Sequence, residues 1–154
     1  TQPGTVVAVL TADCLPVVIA DVAATVVCVA HAGWRGLASG VLEAAVSAVY
    51  ERRGPDVQLQ AWVGPGIGPS AFEVGADVRD AFADMPQAFS PSRVAPGKWW
   101  CNLPWLAEQR LRSAGVVTVV QSGFCTASEK EFYSYRRDGV TGRFATVAWL
   151  ESAG

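Results

Sequence analysis

The chain has 154 residues, of which 51% are hydrophobic and 17% are charged, and this composition predicts one folded domain with a substantial core. A net charge of −2 and scattered Lys and Arg residues argue against a nucleic acid as partner. No apolar run reaches the roughly 18 residues of a membrane span, and no signal peptide is recognisable, so we expect a cytoplasmic protein that does not bind a membrane.

The first part of the chain predicts three β-strands. Its apolar runs are continuous rather than alternating, which is typical of strands that are buried on both faces. The runs cover Thr5–Leu10, Leu15–Ala20 and Thr25–Ala30. We therefore expect all three to be central strands of a sheet.

Helices and further strands follow. Apolar residues at helical spacing predict helices over Leu37–Tyr50, 75–84 and Leu103–Ala114, the last with Asn102 as its N-cap. Strands are predicted over Gln58–Val63, Val116–Val120, Phe132–Tyr135 and Phe144–Leu150, with loops over 85–101 and Gly123–Glu131. This order of elements predicts a single mixed α/β domain over residues 1–154.

A cysteine and the chain's one histidine are the first candidates for chemistry. Cys14 lies in TADCLP and His31 lies in HAGWRG, each next to an apolar run. Two neighbouring strands would bring both side chains to one edge, where a thiolate and an imidazole can bind a metal ion. The alternatives are a buried thiol with a histidine that caps a turn, and a metal-free pair in which His31 activates Cys14 as a nucleophile.

Arg35 and a glycine-rich segment are the next candidates. Arg35 adds a fixed positive charge next to Gly36, near a helix N-terminus where main-chain amides can hold an anion. The segment GPGIGP, which contains Gly66, follows a predicted strand. It is either a loop that closes over a ligand or a rigid corner after the strand.

Tyr135, Arg136 and Arg137 are adjacent at the end of a predicted strand and next to a turn. Because neighbouring strand residues point to opposite faces, we expect one of the two arginines to enter a pocket. The other is expected to form an ion pair with Asp138.

Four segments in the same order closely resemble the YfiH-type family, whose members are described as laccase-domain or multicopper polyphenol oxidases and as purine nucleoside phosphorylases. They are TADCLPVVIAD, HAGWRGLASGVLEAAV, WVGPGIGPSAFEVGADV and FYSYRRDGVTGRFATVAWL. The resemblance implies an α/β sandwich of mixed sheets and one metal ion, usually zinc, held by two histidines and one cysteine. It implies Cys14 and His31 as two of these ligands.

The remaining histidine ligand of the family lies in an N-terminal segment that this chain lacks. We therefore expect the chain to be N-terminally truncated and to bind zinc weakly. Another chain, a carboxylate or water would otherwise have to take the place of the missing ligand.

The activities implied by the resemblance are copper-dependent oxidation of phenols, phosphorolysis of purine nucleosides and deamination of adenosine. A multicopper centre needs many histidines, and this chain has one. We therefore predict a zinc-dependent purine nucleoside phosphorylase or adenosine deaminase that acts on a purine nucleoside and phosphate. The alternatives are a copper-dependent polyphenol oxidase, a metal-free Cys-His hydrolase and an inactive scaffold fragment; a homo-oligomer is a further expectation.

The predicted reaction assigns a role to each candidate residue. Cys14, His31 and Arg137 are the predicted catalytic residues. The predicted substrate contacts are Arg35, Gly66, Tyr135 and Arg136. The arginines would hold the phosphate, and Phe72 or Tyr135 would stack on the purine.

Overall fold

A computed structural model describes residues 2–151 and confirms a mixed α/β domain. Its elements are β1 (Val7–Thr11), β2 (Leu15–Asp21), β3 (Val27–Ala32), α1 (Trp34–Ala38), α2 (Val41–Arg53), β4 (Leu59–Val63), β5 (Glu73–Val74), α3 (Ala76–Asp80), a 3-10 turn (Pro86–Ala88), β6 (Phe89–Pro91), β7 (Trp99–Cys101), α4 (Leu103–Ser113), β8 (Thr118–Gln121), α5 (Tyr135–Asp138) and β9 (Phe144–Ala148). Within this part of the chain, none of the helices combines the length and the apolar character needed to cross a membrane.

The main sheet has the strand order β3-β2-β4-β8. Strands β4 and β8 are parallel, whereas β2 is antiparallel to both of its neighbours. Leu15, Val17 and Ile19 are fully buried on one face of β2, and α2 and α4 pack against this sheet. The predicted central strand is therefore confirmed for β2.

The predictions for the first and third strands are wrong in their placement. Strand β1 pairs with β9 in a separate antiparallel ribbon, and Leu10 on its outer face is 58% exposed. Strand β3 is at an edge of the main sheet. A continuous apolar run predicts a strand, but it does not distinguish a central strand from a ribbon that covers a neighbouring strand.

The helix predicted over Leu37–Tyr50 is two helices, α1 and α2. Gly40 separates them because its φ of +81° is in the left-handed region, which a helix cannot continue through. Leu37 and Leu42 on either side of the break are both fully buried. Apolar residues therefore continue at helical spacing across the break because both helices pack against the same core.

Two further segments differ from the prediction. The loop predicted over 85–101 contains β6 and β7, which form a small antiparallel sheet with β5. The strand predicted over Phe132–Tyr135 is absent from the described residues, and helix α5 begins at Tyr135 after the N-cap Ser134. The Ser134 hydroxyl accepts a hydrogen bond from the main-chain N–H of Arg137 at 3.2 Å. This cap gives the segment a helical turn.

Candidate functional site

Cys14 and His31 lie near one end of the main sheet. Cys14 immediately precedes β2, and His31 lies in β3, where it pairs with Pro16 of β2. Gly33, just after β3, approaches Cys14 so closely that a Cβ atom there would lie 2.6 Å from Cys14 Sγ. The pairing of β2 with β3 therefore brings the segments that carry the two candidate ligands next to each other.

A cleft of about 410 Å³ opens beside Cys14. Its lining residues are Ala12, Asp13, Cys14, Trp34, Arg35, Ile67, Phe72, Leu103, Tyr135, Arg136 and Arg143. The fold thus brings most of the predicted substrate contacts together with Cys14. His31, Gly66 and Arg137 do not line this cleft.

Asp13 connects three parts of the cleft through hydrogen bonds, and it was not among the predicted site residues. Its Oδ1 atom accepts a hydrogen bond from the Thr126 hydroxyl at 2.6 Å, and its Oδ2 atom accepts one from the main-chain N–H of Arg136 at 2.7 Å. Its carbonyl oxygen accepts the N–H of Ile67 at 2.8 Å. Asp13 also has a φ of +80°, which is uncommon outside glycine. One turn residue therefore connects the start of β2 to the GPGIGP segment and to α5.

Arg136 and Arg137 point in different directions, as predicted, although they lie on a helix rather than a strand. Arg136 lies over the Phe72 ring at 5.4 Å in the cleft. Arg137 forms an ion pair with Asp138 and donates hydrogen bonds to the carbonyl oxygens of Thr126, Glu129 and Phe132.

These contacts of Arg137 argue against its predicted catalytic role. All five N–H groups of its guanidinium have protein partners, two of them on the Asp138 carboxylate. Arg137 therefore clamps the loop before α5, and no donor is left for a ligand.

The position of Gly66 argues against its predicted contact with the substrate. Residues 64–68 are buried, and Gly66 forms an isolated β-bridge with Cys125. A Cβ atom at Gly66 would overlap the buried side chain of Leu15. The buried GPGIGP segment therefore fits the alternative of a rigid corner after the strand. Its residue Ile67 lines the cleft.

The surroundings of Cys14 bear on the choice between a zinc ligand and a nucleophile. Burial and, next, the neighbouring Asp13 carboxylate raise the pKa of the Cys14 thiol, while the Arg143 charge opposes them. A bound metal ion would itself stabilise the thiolate, whereas a metal-free nucleophile needs a base in contact with it. Cys14 lines the cleft and His31 does not, so this geometry argues against the Cys-His hydrolase.

Cys14 and His31 have the ligand types that zinc prefers, because thiolate sulfur and imidazole nitrogen are its usual ligands. Over residues 2–151, however, no group of three or more His, Cys, Asp or Glu side chains is placed to hold a metal ion. Cys14 and His31 would therefore hold the ion only together with a ligand from outside the described residues.

Comparison with known protein families identifies the family of this chain. The family described as multi-copper polyphenol oxidoreductase laccase matches residues 1–151. The chain belongs to this family. Membership confirms the resemblance that the four segments predicted.

Similar proteins extend the comparison. A purine nucleoside phosphorylase of Pseudomonas aeruginosa is 49% identical over 97% of this chain and 62% of its own length. Purine nucleoside phosphorylase YfiH of Escherichia coli strain K12 is 49% identical over 96% of this chain and 60% of its own length. The chain thus spans less than two thirds of the length of these relatives, which are named as enzymes.

Solved structures share the fold. A Neisseria meningitidis protein has a TM-score of 0.86 at 45% identity, covering 96% of this chain and 61% of its own. The YfiH protein of Bacillus licheniformis has a TM-score of 0.89 at 32% identity, covering 97% and 59%.

Proposed function

We propose that this chain carries the reaction site of a zinc-dependent purine nucleoside phosphorylase. The observation that carries the proposal is the identity of 49% with the Pseudomonas aeruginosa relative of that name over 97% of the chain. The cleft beside Cys14 supports it, because aromatic rings and guanidinium groups line one concave site. The reaction joins a phosphate oxygen to the sugar C1′ atom and breaks the bond from C1′ to the base, which leaves with a proton.

The residues of the chain divide this task. Tyr135 offers exposed ring surface to the purine, whereas the Phe72 ring is buried and lies under Arg136. Arg35 and Arg136 offer charge to the phosphate. Cys14 and His31 would hold the zinc ion with a further ligand. Bound zinc supplies Lewis acidity, which phosphorolysis and the hydrolytic deamination of adenosine can both use. We include adenosine deamination in the proposal as a second reaction of the same site.

The family description favours phenol oxidation as the competing function. Multicopper oxidation needs several copper ions and therefore many histidines, whereas this chain provides only His31. Several guanidinium groups line the cleft, and such a lining suits an anion better than a neutral phenol. Phosphorolysis uses these groups, and phenol oxidation does not.

The test is the consumption of adenosine and inosine with and without inorganic phosphate. We expect phosphate-dependent turnover by an extended form, a fusion of this chain with the part of the Pseudomonas aeruginosa relative that it does not span. The chain of residues 1–154 is expected to be much slower, because two protein ligands hold zinc weakly. A zinc-loaded extended form that oxidises phenols but leaves both nucleosides intact would contradict the proposal.

Replacement of Gly33 by Ala tests whether the Cys14 thiol is a zinc ligand. Gly33 has a φ of −75° and a ψ of 167°, which Ala also adopts, so the main chain tolerates the change. The new Cβ atom would lie 2.6 Å from Cys14 Sγ and must displace the sulfur. We expect Gly33→Ala to weaken zinc binding about tenfold to a hundredfold in the extended form, measured by competition with a chelating dye.

Gly36→Ala is the matched control, because its Cβ atom would approach nothing closer than 3.4 Å. This control is expected to keep the zinc affinity of the unmodified form. Equal zinc affinity in Gly33→Ala and Gly36→Ala would remove Cys14 from the proposed ligand set.

A further inference from the structure

Three arginines from separate parts of the chain meet at the cleft beside Cys14. Arg35 lies in α1, Arg136 lies in α5, and Arg143 immediately precedes β9. The sequence as a whole has a net charge of −2. The fold therefore gathers positive charge at one concave site of an acidic chain, and this arrangement attracts anions.

Neutral groups hold these arginines in place. Arg143 donates from one terminal nitrogen to the carbonyl oxygens of Thr141 and Gly142, at 3.1 and 2.9 Å. Arg136 donates in the same way to the carbonyl oxygens of Ala71 and Glu73, at 3.2 and 3.0 Å. Carbonyl oxygens fix a guanidinium group without cancelling its charge, and they leave its other nitrogen atoms for a ligand.

Arg35 is held by an aromatic ring, since its guanidinium carbon lies 4.3 Å from the centre of the Trp34 ring. A cation over an aromatic face is fixed in position and keeps its full charge. All three cations are thus ordered without a carboxylate partner.

Counter-charge is scarce in the cleft. Asp13 is the carboxylate that lines it, and both Asp13 oxygens already accept hydrogen bonds from Thr126 and from the Arg136 main chain. Between residues 2 and 151, the ion pairs use Arg110, Arg112 and Arg137 and none of the three cleft arginines. The cleft therefore carries more positive than negative charge.

We infer that Arg35, Arg136 and Arg143 form one binding site for a tetrahedral oxyanion, with Arg143 as a phosphate-binding residue that the proposed function had not included. The identity of the ligand as inorganic phosphate rests on the proposed phosphorolysis. A planar guanidinium group can donate two parallel hydrogen bonds to a pair of phosphate oxygens. An ammonium group, which acts as a point charge, does not have this geometry. A nucleotide phosphoryl group has the same chemistry and is the alternative source.

Thermal unfolding of the chain itself measures the anion site without any turnover. Inorganic phosphate at about ten times its Kd is expected to raise the Tm by about 3–6 °C, because ligand binding stabilises the folded state. Arg143→Ala is expected to raise the Kd for phosphate about tenfold to a hundredfold, the range for a lost charge-assisted hydrogen bond. Arg93→Ala is the matched control, since Arg93 is exposed and does not line the cleft.

The same measurement with AMP and with adenosine distinguishes the ligand sources. The inference requires that phosphate alone shifts the Tm and that Arg143→Ala removes most of this shift. A shift with AMP but not with phosphate would assign the site to a nucleotide and overturn the inference. An equal phosphate shift in Arg143→Ala and Arg93→Ala would also overturn it.

Kinetics of the extended form separate this inference from the proposed function. We expect Arg143→Ala to raise the KM for phosphate about tenfold to a hundredfold and to change the KM for inosine by less than about twofold. Phosphorolysis with an unchanged phosphate KM would contradict the role of Arg143 and leave the function standing. Phosphate binding that depends on Arg143, without any cleavage of nucleosides, would contradict the function and leave the anion site standing.

Discussion

Replacement of His31 by Ala is expected to lower kcat/KM for nucleoside phosphorolysis by more than about a hundredfold, because the loss of a residue that only supports a metal ligand already costs about tenfold to a hundredfold. His31 is the chain's one imidazole, so no second histidine of the chain can replace it. The side chain is exposed on the edge strand β3, and we expect the free energy of unfolding to change by less than about 0.5 kcal/mol. Turnover, bound zinc and thermal unfolding of the extended form are the three measurements.

Cys14→Ser is expected to give the same loss, because a hydroxyl is a much poorer zinc ligand than a thiolate. Cys28→Ser makes the same chemical change on β3, outside the cleft, and is expected to keep the activity. Full activity and full zinc content in His31→Ala would exclude His31 from the site. Loss of activity together with unfolding would show that His31 supports the fold rather than the reaction.

Replacement of Asp13 by Ala is expected to lower the free energy of unfolding by about 3–4 kcal/mol. The change leaves the Thr126 hydroxyl, which is fully buried, and the Arg136 main-chain N–H without their acceptors. It also places Ala at a φ of +80°, where Asp and Asn are tolerated better. Urea unfolding measures the loss, and the Tm is expected to fall by about 10 °C.

Asp13→Asn tests the reason for this loss. Asn keeps one carbonyl oxygen as an acceptor and tolerates the positive φ, so we expect it to lose about 1–2 kcal/mol. Asp56→Ala, at an exposed position, is expected to lose less than about 0.5 kcal/mol. If Asp13→Ala and Asp13→Asn are equally destabilised, the two hydrogen bonds do not explain the role of Asp13.

The parts of the fold that local sequence patterns determine could be predicted. Strand β2 begins at Leu15 as expected, and α4 begins after Asn102, whose Oδ1 atom accepts the Trp105 N–H at 3.0 Å. Both features depend on neighbouring residues, namely a continuous apolar run and an N-cap. The pairing of β2 with β3 is also local in this sense, because the two strands are consecutive.

The residues that complete the cleft could not be predicted in the same way. Asp13 contacts Thr126 and Arg136, which are 113 and 123 positions further along the chain. Arg143 reaches the cleft through the fold of the last third of the chain, and no local spacing marks it. The one available signal for Asp13 was an acidic residue in a short corner between two apolar runs, which is typical of turns in general.

At helix α5, the N-cap signal of Ser134 outweighed the strand preference of the neighbouring aromatic residues. The aromatic residues Phe132, Tyr133 and Tyr135 favoured a strand, since aromatic side chains are enriched in strands. Ser134 is also a good helix N-cap, and its hydroxyl accepts the Arg137 N–H in the structure. A helix of four residues is too short to show apolar periodicity, so only the cap could have identified it.

Product analysis by phosphorus NMR tests the central claim most directly. The extended form, loaded with zinc and given inosine and inorganic phosphate, is expected to release hypoxanthine and ribose 1-phosphate in equal amounts. The same reaction with His31→Ala is expected to leave the phosphate signal unchanged. Free ribose in place of ribose 1-phosphate, or intact inosine in a sample that oxidises phenols, would contradict the claim that this site performs phosphorolysis.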